Sequence, residues 1–221
     1  MTQNRSSAVM QQRIEPHDSL DDFPTPPWAT RAILEQLADR GLADRSQLCR
    51  EPCANRGFMV RPLEEFFLGV DACDVHDYGC GFRQEDYLFG GDMMEVEWTF
   101  MNPPFRLAHQ FIEKAKREST VGVAALVRSA FIEGVDRFNT LYAVDPPDFQ
   151  FQHTERVPMV KGRYDPKAST ATSYCWLVWL RHGDGDTRLR WIPPCRKRLE
   201  RVGDDQIIAR ASSPDPHPKP E

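Results

Sequence analysis

The stretch VEWTFMNPPF, residues 96–105, joins a mostly apolar run to an asparagine followed by two prolines. Such a run is typical of a buried strand in a parallel sheet. Consecutive prolines lack backbone N–H groups and fix the direction of the chain, so the strand ends where they begin. A helical pattern over residues 107–115 follows, and together these features predict a strand, a stiff turn and a helix.

Strand-like and helix-like segments alternate on both sides of this stretch. The alternation predicts an α/β fold with a mainly parallel sheet, in which ligands bind at the carboxyl ends of the strands. Two strand-like segments separated by a long loop, 156–160 and 174–180, predict an antiparallel hairpin at one side of the sheet. The other predicted strands are 47–51, 70–75, 121–127 and 188–192, and the other predicted helices are 29–38, 59–67 and 130–142.

Length and composition suit a single globular domain. The chain has 221 residues, of which 40% are hydrophobic and 28% are charged, as expected for one core with flanking helices. We expect a flexible arm over residues 1–18, one domain over 19–203 and a flexible tail over 204–221. There is no apolar run of membrane-spanning length and no apolar signal-peptide core, which predicts a cytoplasmic protein without a membrane partner.

The six cysteines match no zinc-ligand spacing. We therefore expect reduced thiols, several of them buried in strands, and no metal site.

Basic side chains concentrate in the second half of the chain. Residues 1–100 carry 9 basic and 18 acidic side chains, whereas residues 101–221 carry 19 and 15. Lys161, Arg163 and Lys167 share one loop of the region 143–173, a candidate DNA-contacting insertion, and such a cluster can grip phosphates near a flipped base. A solvated, exposed loop without a partner explains the same pattern equally well.

The turn at Asn102 carries the sharpest chemical signal. The side-chain carbonyl of Asn102 and the main-chain carbonyl of Pro103 are suited to accept both hydrogens of an NH2 group. That interaction draws the nitrogen lone pair out of conjugation and aims it at a methyl donor. Pro104 stiffens the turn, and Phe105 supplies a face on which a flat base can stack. The alternative is a plain strand-to-helix turn stiffened by prolines.

Acidic residues follow predicted strands upstream of this turn. Residues 51–57 read EPCANRG, and an acid at a strand end followed by small residues and glycine makes a tight turn into a helix. The backbone amides of such a turn can receive the methionine carboxylate of a cofactor. Asp74 is suited to bind ribose hydroxyls and Asp86 an adenine amino group, although each taken singly also fits a solvated loop acid.

Together these motifs make the sequence resemble the S-adenosylmethionine-dependent amino-methyltransferases of DNA, in particular small adenine-specific enzymes of phage and prophage type. The resemblance rests on FPTPPW (23–28), EPCANRG (51–57), DVHDYG (74–79), NPPF (102–105) and the stretch 157–179, and covers roughly residues 15–200. It implies a Rossmann-like, seven-stranded methyltransferase sheet, mostly parallel with one antiparallel hairpin and with helices on both faces. It also implies S-adenosyl-L-methionine as the cofactor and DNA as the partner.

The resemblance further implies roles for individual residues. Related motifs carry glycine where this chain has Asn55, and asparagine tolerates the left-handed backbone angles of such a turn. The implied catalytic loop is Asn102, Pro103, Pro104 and Phe105. The implied cofactor-binding residues are Thr25, Pro26 and Trp28 at the methionine end, Glu51, Cys53 and Gly57 in the glycine turn, Asp74 at the ribose and Asp86 at the adenine.

The implied reaction is direct methyl transfer to the exocyclic amino group of a flipped base, with adenine N6 in DNA preferred and no covalent enzyme intermediate. The same loop chemistry suits cytosine N4, guanine N2 in RNA or a protein glutamine amide. A degenerate methyltransferase fold that binds DNA or a partner without catalysis is a further alternative. A nucleotide-binding protein of other chemistry is disfavoured, because the sequence contains neither GxGxxG nor GxxxxGK[ST].

Overall fold

The computed structural model describes residues 21–91 and 94–207. The predicted arm, residues 1–18, lies outside the described residues, as do residues 208–221 of the predicted tail. Within the described ranges, none of the helices combines the length and apolar character needed to cross a membrane.

One mixed sheet organises the described part of the chain. Its strands are β1 (Leu48–Glu51), β2 (Gly69–Asp74), β3 (Arg83–Gln84), β4 (Val96–Met101), β5 (Ser119–Arg128), β6 (Phe149–His153), β7 (Tyr174–Leu180) and β8 (Arg188–Ile192). They lie in the order β3-β2-β1-β4-β5-β7-β6-β8. β7 runs antiparallel to β5 and β6, and the other neighbouring pairs of these described strands are parallel. The predicted mostly parallel α/β fold with one antiparallel hairpin is confirmed.

The strand count differs from the prediction. The described sheet has eight strands, one more than the resemblance implied. The edge strand β8 pairs in parallel with all five residues of β6, from Phe149↔Arg188 to His153↔Ile192. Without β8, β6 would present a row of unpaired backbone groups at the edge of the sheet, and β8, which was predicted at 188–192, satisfies them. The strand that the sequence did not predict is the two-residue β3.

The first strand of the hairpin lies earlier in the chain than predicted. We expected it at 156–160, whereas the observed strand is β6 and residues 154–173 connect it to β7. In β6, buried phenylalanines alternate with half-buried glutamines, which is the period of a strand. Pro158 disfavours the expected segment because proline cannot donate to a ladder. The candidate insertion 143–173 therefore contains β6 and a long connecting loop.

Helices cover both faces of the sheet, as predicted. The helices are α1 (Pro27–Ala38), α2 (Val60–Phe66), α3 (Ala108–Glu118), α4 (Val135–Arg137) and α5 (Arg196–Leu199). Neighbouring residues of β5 point into different cores. Leu126 packs in the cluster that contains residues of α1, α2 and α5, while Val127 packs in the cluster that contains residues of α3.

The predicted single helix over 130–142 is wrong. The structure divides this segment into a 3-10 turn at Ser129–Ile132, the short helix α4, and a π turn at Phe138–Tyr142. Gly134 has a φ of 127°, which no α-helix contains. This glycine separates the first turn from α4.

A buried ion-pair network holds the C-terminal segment against α1. Arg31 is 5% exposed, and its two terminal nitrogens lie 2.7 and 2.8 Å from the carboxylate oxygens of Asp204. Its guanidinium also donates to both oxygens of Glu65 at 2.8 Å. We expected a flexible tail from residue 204 onward, yet Asp204 is buried. This two-point contact to Arg31 anchors the chain as far as Asp204.

His153 is expected to make the fold sensitive to acid. Its side chain is 6% exposed and packs edge-on against Trp28, with ring centroids 5.6 Å apart. Burial lowers the pKa of His153 from 6.5 to about 4. Between these values the unfolded chain binds a proton that the folded protein does not, so the free energy of unfolding falls as the pH falls. The loss below pH 4 is on the order of 3 kcal/mol.

Denaturant unfolding from pH 7 to pH 4 measures this loss. The His153→Leu variant should lose less stability over this range than the unmutated protein. His182→Leu, which changes an exposed loop histidine, is the control and should keep the original pH dependence. Equal pH dependence in the His153→Leu variant and the unmutated protein would contradict the assignment.

Candidate active site

A cavity of about 350 Å³ opens at the carboxyl ends of the central strands. It lies where the strand order reverses, since β2 and β3 lie on one side of β1 and β4 lies on the other. Ligand crevices of open α/β sheets form at this position. The volume falls within the range of about 300–1,000 Å³ typical of small-molecule sites.

Several predicted site residues meet at this cavity. The sequence did not predict some of the residues that line the cavity, although Phe23 lies in the motif 23–28 and Tyr78 in the motif 74–79. Asp21 and Phe89 carried no sequence signal, because an acid or an aromatic residue outside a motif is common in surface loops. The predicted residues on the wall are Thr25, Cys53, Asp74, Asp86, Asn102 and Pro104. The missed residues include Asp21, Phe23, Tyr78, Leu88 and Phe89.

The other predicted cofactor-binding and catalytic residues, Phe105 among them, are not part of the cavity lining. Trp28 is fully buried in the core, so it can support the site without touching a ligand. Gly57 has a φ of 82°, and a Cβ there would lie 2.8 Å from the Phe82 ring; the turn therefore needs glycine for its backbone and close packing. Pro26 precedes α1 as its N-cap, and Pro103 is buried.

Glu51 is a buried acid directly before the cavity-lining Pro52. Its Oε1 accepts a hydrogen bond from the Cys53 backbone N–H at 3.1 Å, whereas Oε2 has no partner among the described residues. Burial, together with the nearby Asp74, raises the pKa of Glu51 well above its usual value. An unpartnered buried carboxyl oxygen is costly, and a positively charged ligand group beside it would remove that cost.

The turn after β1 accommodates Asn55 in the left-handed region. Asn55 has a φ of 47°, which confirms that asparagine supports this turn. Its side-chain nitrogen donates to Asp22 Oδ1 at 2.8 Å, and its Oδ1 accepts the Arg56 backbone N–H at 2.7 Å. These contacts hold the Asn55 side chain in one orientation at the cavity rim.

Asp74 links the end of β2 to this turn. One carboxylate oxygen accepts the Asn55 backbone N–H and the other accepts the His76 backbone N–H, both at 2.9 Å. Burial raises the pKa of Asp74, against the lowering effect of these two hydrogen bonds. Each oxygen keeps a lone pair that can accept a ligand hydroxyl.

Asp86 occupies another side of the cavity and is exposed. Its Oδ1 accepts the Leu88 backbone N–H at 3.0 Å. This local contact orients the carboxylate and leaves further accepting capacity for a polar ligand group.

The Asn102 side chain has a defined orientation. Its Nδ2 donates to the Phe23 carbonyl oxygen at 2.9 Å, and only the nitrogen side of the amide can make that bond. The carbonyl oxygen Oδ1 therefore points away from the Phe23 carbonyl within the amide plane, and none of the described residues donates a hydrogen bond to it. The hydrogen bond from Asn102 Nδ2 to the Phe23 carbonyl thus fixes the orientation of the accepting oxygen Oδ1 at the cavity, and it joins two distant parts of the chain.

Residues 21–23 form a strap that touches both the predicted catalytic loop, residues 102–105, and the turn after β1. Asp21 Oδ2 accepts the Phe105 backbone N–H at 2.7 Å. Asp22 pairs with Arg56 at 2.7 Å, and its carbonyl accepts the Gly162 N–H at 2.8 Å. The strap therefore sets the position of the predicted catalytic loop relative to the cavity and to the loop 154–173.

Lys161, Arg163 and Lys167 lie on the loop 154–173 and are exposed. Arg163 pairs with Asp165 at 3.4 Å, but its side chain is 65% exposed. The Gly162 contact to the strap brings this loop towards the cavity rim. The three predicted nucleic-acid contacts are thus accessible on a loop attached to the strap.

The cysteines are free, and all but Cys53 are buried. Burial, with Glu51 as the next cause, raises the pKa of the Cys53 thiol well above its usual value, so the thiol stays protonated and is a poor nucleophile. Across residues 21–91 and 94–207, no group of three or more His, Cys, Asp or Glu side chains is arranged to hold a metal ion.

Strand order and site position define a Rossmann-like methyltransferase fold, and solved structures agree. A candidate RNA methyltransferase from Pyrococcus horikoshii has a TM-score of 0.55 at 15% identity, over 78% of this chain and 96% of that one. The methyltransferase subunit of a type I restriction-modification system from Streptococcus thermophilus has a TM-score of 0.57 at 7% identity, over 85% and 51%. A modification subunit of a candidate type I restriction enzyme from Vibrio vulnificus has a TM-score of 0.54 at 13% identity, over 81% and 49%.

This chain therefore spans about half the length of the two restriction-system subunits. Neither the protein-family models nor the curated proteins include a match to the sequence. At these identities the similarity establishes the fold.

Proposed function

We propose that this protein transfers a methyl group from S-adenosyl-L-methionine to the exocyclic amino group of a flipped base, with adenine N6 in DNA as the acceptor. The observation that carries the proposal is the orientation of Asn102, whose Nδ2 is held by the Phe23 carbonyl at 2.9 Å. An oriented amide oxygen at the switch point of a methyltransferase fold suits recognition of an NH2 group.

The cavity suits the cofactor in volume and in chemistry. When bound, S-adenosyl-L-methionine supplies an electrophilic methyl group on its sulfonium sulfur. Glu51 Oε2, buried and without a partner among the described residues, matches a positively charged amino group. The free lone pairs of Asp74 match ribose hydroxyls, and Asp86 matches an adenine amino group.

Catalysis by this chain is a matter of orientation. Asn102 Oδ1 and the Pro103 carbonyl each accept one hydrogen of the target amino group, which directs the nitrogen lone pair into the cavity. The prolines keep these two oxygens in place, and holding reactants in a reactive geometry can supply a large part of the rate enhancement. The protonated Cys53 thiol suits a reaction without a covalent enzyme intermediate.

Nucleic acid is the acceptor that the surface near the cavity favours. Lys161, Arg163 and Lys167 are exposed on the loop attached to the strap, where they can contact phosphates beside a flipped nucleotide. The type I restriction-modification subunit that shares the fold makes DNA the first substrate to test.

The proposal is tested with labelled S-adenosyl-L-methionine, unmethylated DNA and nucleoside mass spectrometry. We expect N6-methyladenine. Methylcytosine alone would reassign the base, and transfer only to RNA or protein would reassign the substrate. Lack of transfer to all three acceptors, together with lack of cofactor binding, would leave a non-catalytic binding protein.

A cofactor titration tests the pocket separately. Asp74→Ala should weaken cofactor binding by roughly 10- to 100-fold, because it removes a charged hydrogen-bond acceptor. Asp77→Ala is the matched control, since Asp77 is an exposed acid outside the cavity, and it should bind as the unmutated protein does. Equal affinities in the two variants would overturn the assignment of Asp74.

A further inference from the structure

The ring of Phe105, the proposed stacking platform, is covered by another side chain. The guanidinium carbon of Arg128 lies 3.8 Å from the centroid of this ring. The Phe23 ring lies 5.5 Å from it at an interplanar angle of 39°. A base that stacks on the face of Phe105 under Arg128 must take the position that the guanidinium occupies.

Arg128 ends β5, the parallel neighbour of the strand that carries the catalytic loop. Arg128 is exposed, and no carboxylate within the described ranges forms a salt bridge with it. The partners that hold the Arg128 side chain, the Phe105 ring and the Tyr174 side chain to which it is hydrogen-bonded, are uncharged, whereas a phosphate offers it charge-assisted, two-point hydrogen bonds. The contact with Phe105 is therefore one that an entering nucleotide can replace.

The planar shape of the Arg128 guanidinium also explains why it covers the face of the Phe105 ring before a substrate binds. Guanidinium is weakly hydrated and stacks on aromatic faces, so it shields the Phe105 ring from water at low cost. A flat base makes the same type of contact with the ring.

We propose that Arg128 is a substrate-contacting residue which occupies the stacking face of Phe105 in the free protein and moves to a backbone phosphate when the target base enters. This inference rests on the proposed function, because it requires a nucleic-acid substrate. It adds a residue at the end of β5 to the phosphate contacts proposed for the loop 154–173.

The direct test follows the side-chain N–H signal of Arg128 by NMR, assigned with the Arg128→Lys variant. In the free protein, the Phe105 ring current should shift this signal upfield. Addition of a short deoxyadenosine oligonucleotide to saturation should remove the shift. If the shift persists in the saturated complex, Arg128 does not leave the ring and the proposal is overturned.

The second measurement is the affinity for the same oligonucleotide at several salt concentrations. Arg128→Ala should bind more weakly and lower the slope of log Kd against log salt by about one, because one phosphate contact is lost. Arg128→Lys should keep the slope, since it keeps the charge. The control is Arg181→Ala, an exposed arginine after β7 at the opposite end of the β5–β7 pair from Arg128, which should match the unmutated protein.

The outcomes separate this inference from the function on which it rests. If the unmutated protein does not bind the oligonucleotide, both are overturned. If it binds while Arg128→Ala keeps the full salt slope, the inference about Arg128 alone is overturned.

Discussion

Replacement of Asn102 by alanine is expected to lower the rate of methyl transfer by about 100- to 1,000-fold or more, while cofactor affinity stays within a few-fold of the original. Loss of a single preorganised polar group at a reacting centre has effects of this size. The change removes the amide oxygen that accepts the target amino group, and it also removes the bond from Nδ2 to the Phe23 carbonyl. The Asp74, Asp86 and Glu51 carboxyls remain unchanged.

Two further variants make this test specific. Asn102→Asp keeps an accepting oxygen but places a second acceptor against the Phe23 carbonyl, so the side chain should lose its orientation and the activity with it. Asn139→Ala removes an exposed asparagine outside the cavity and should retain full activity. Single-turnover transfer rates and cofactor titration measure the two properties separately. Undiminished transfer by Asn102→Ala would exclude the proposed role.

The Arg31→Met variant is expected to lose about 3–5 kcal/mol of unfolding free energy, the cost of breaking a buried ion pair by removing one partner. Arg31 is 5% exposed and the Asp204 side chain 4% exposed, so solvent cannot replace the lost partner. Arg61 is the nearest other cation, and its Nη1 lies 3.9 Å from Asp204 Oδ1. Methionine keeps much of the length of the side chain, so the loss reports mainly the buried carboxylate.

Arg201→Met is the matched control for this variant. Arg201 also pairs with Glu65, at 2.8 Å, but its side chain is 60% exposed. Exposed pairs contribute about 0–1 kcal/mol, so this variant should unfold near the original denaturant midpoint. Urea unfolding at constant pH compares the two variants, and similar losses in both would contradict the stabilising role of the buried network.

Much of the fold could be predicted because strand and helix patterns are local. The apolar runs of β4, β5 and β7 indicate buried strands, and the long loop between the predicted strands 156–160 and 174–180 indicates an antiparallel hairpin. The prediction failed where a local pattern was ambiguous. The alternation in β6 was missed, and the helix over 130–142 was drawn through Gly134, whose φ of 127° interrupts it.

The candidate site was predictable to the extent that its residues follow strand ends. Asp74 is the last residue of β2, and Asn102 directly follows β4. Parallel strands bring their carboxyl ends to the same side of the sheet. Contacts from other parts of the chain had no such signal. Nothing in the spacing indicates that Asp21 binds the Phe105 N–H or that Arg128 covers the Phe105 ring.

Sequence alone therefore determined the α/β class, most of the elements and the polar residues at the strand ends, because each depends on residues close together in the chain. Tertiary structure decided which predicted residues line the cavity and which, such as Trp28 and Gly57, do not. It also decided the orientation of Asn102 and the burial of the Arg31–Asp204 pair. The Asn102–Phe23 contact joins residues that are 79 positions apart in the sequence, and the Arg31–Asp204 contact joins residues that are 173 positions apart. Packing of the whole domain, rather than local backbone preference, selects such contacts.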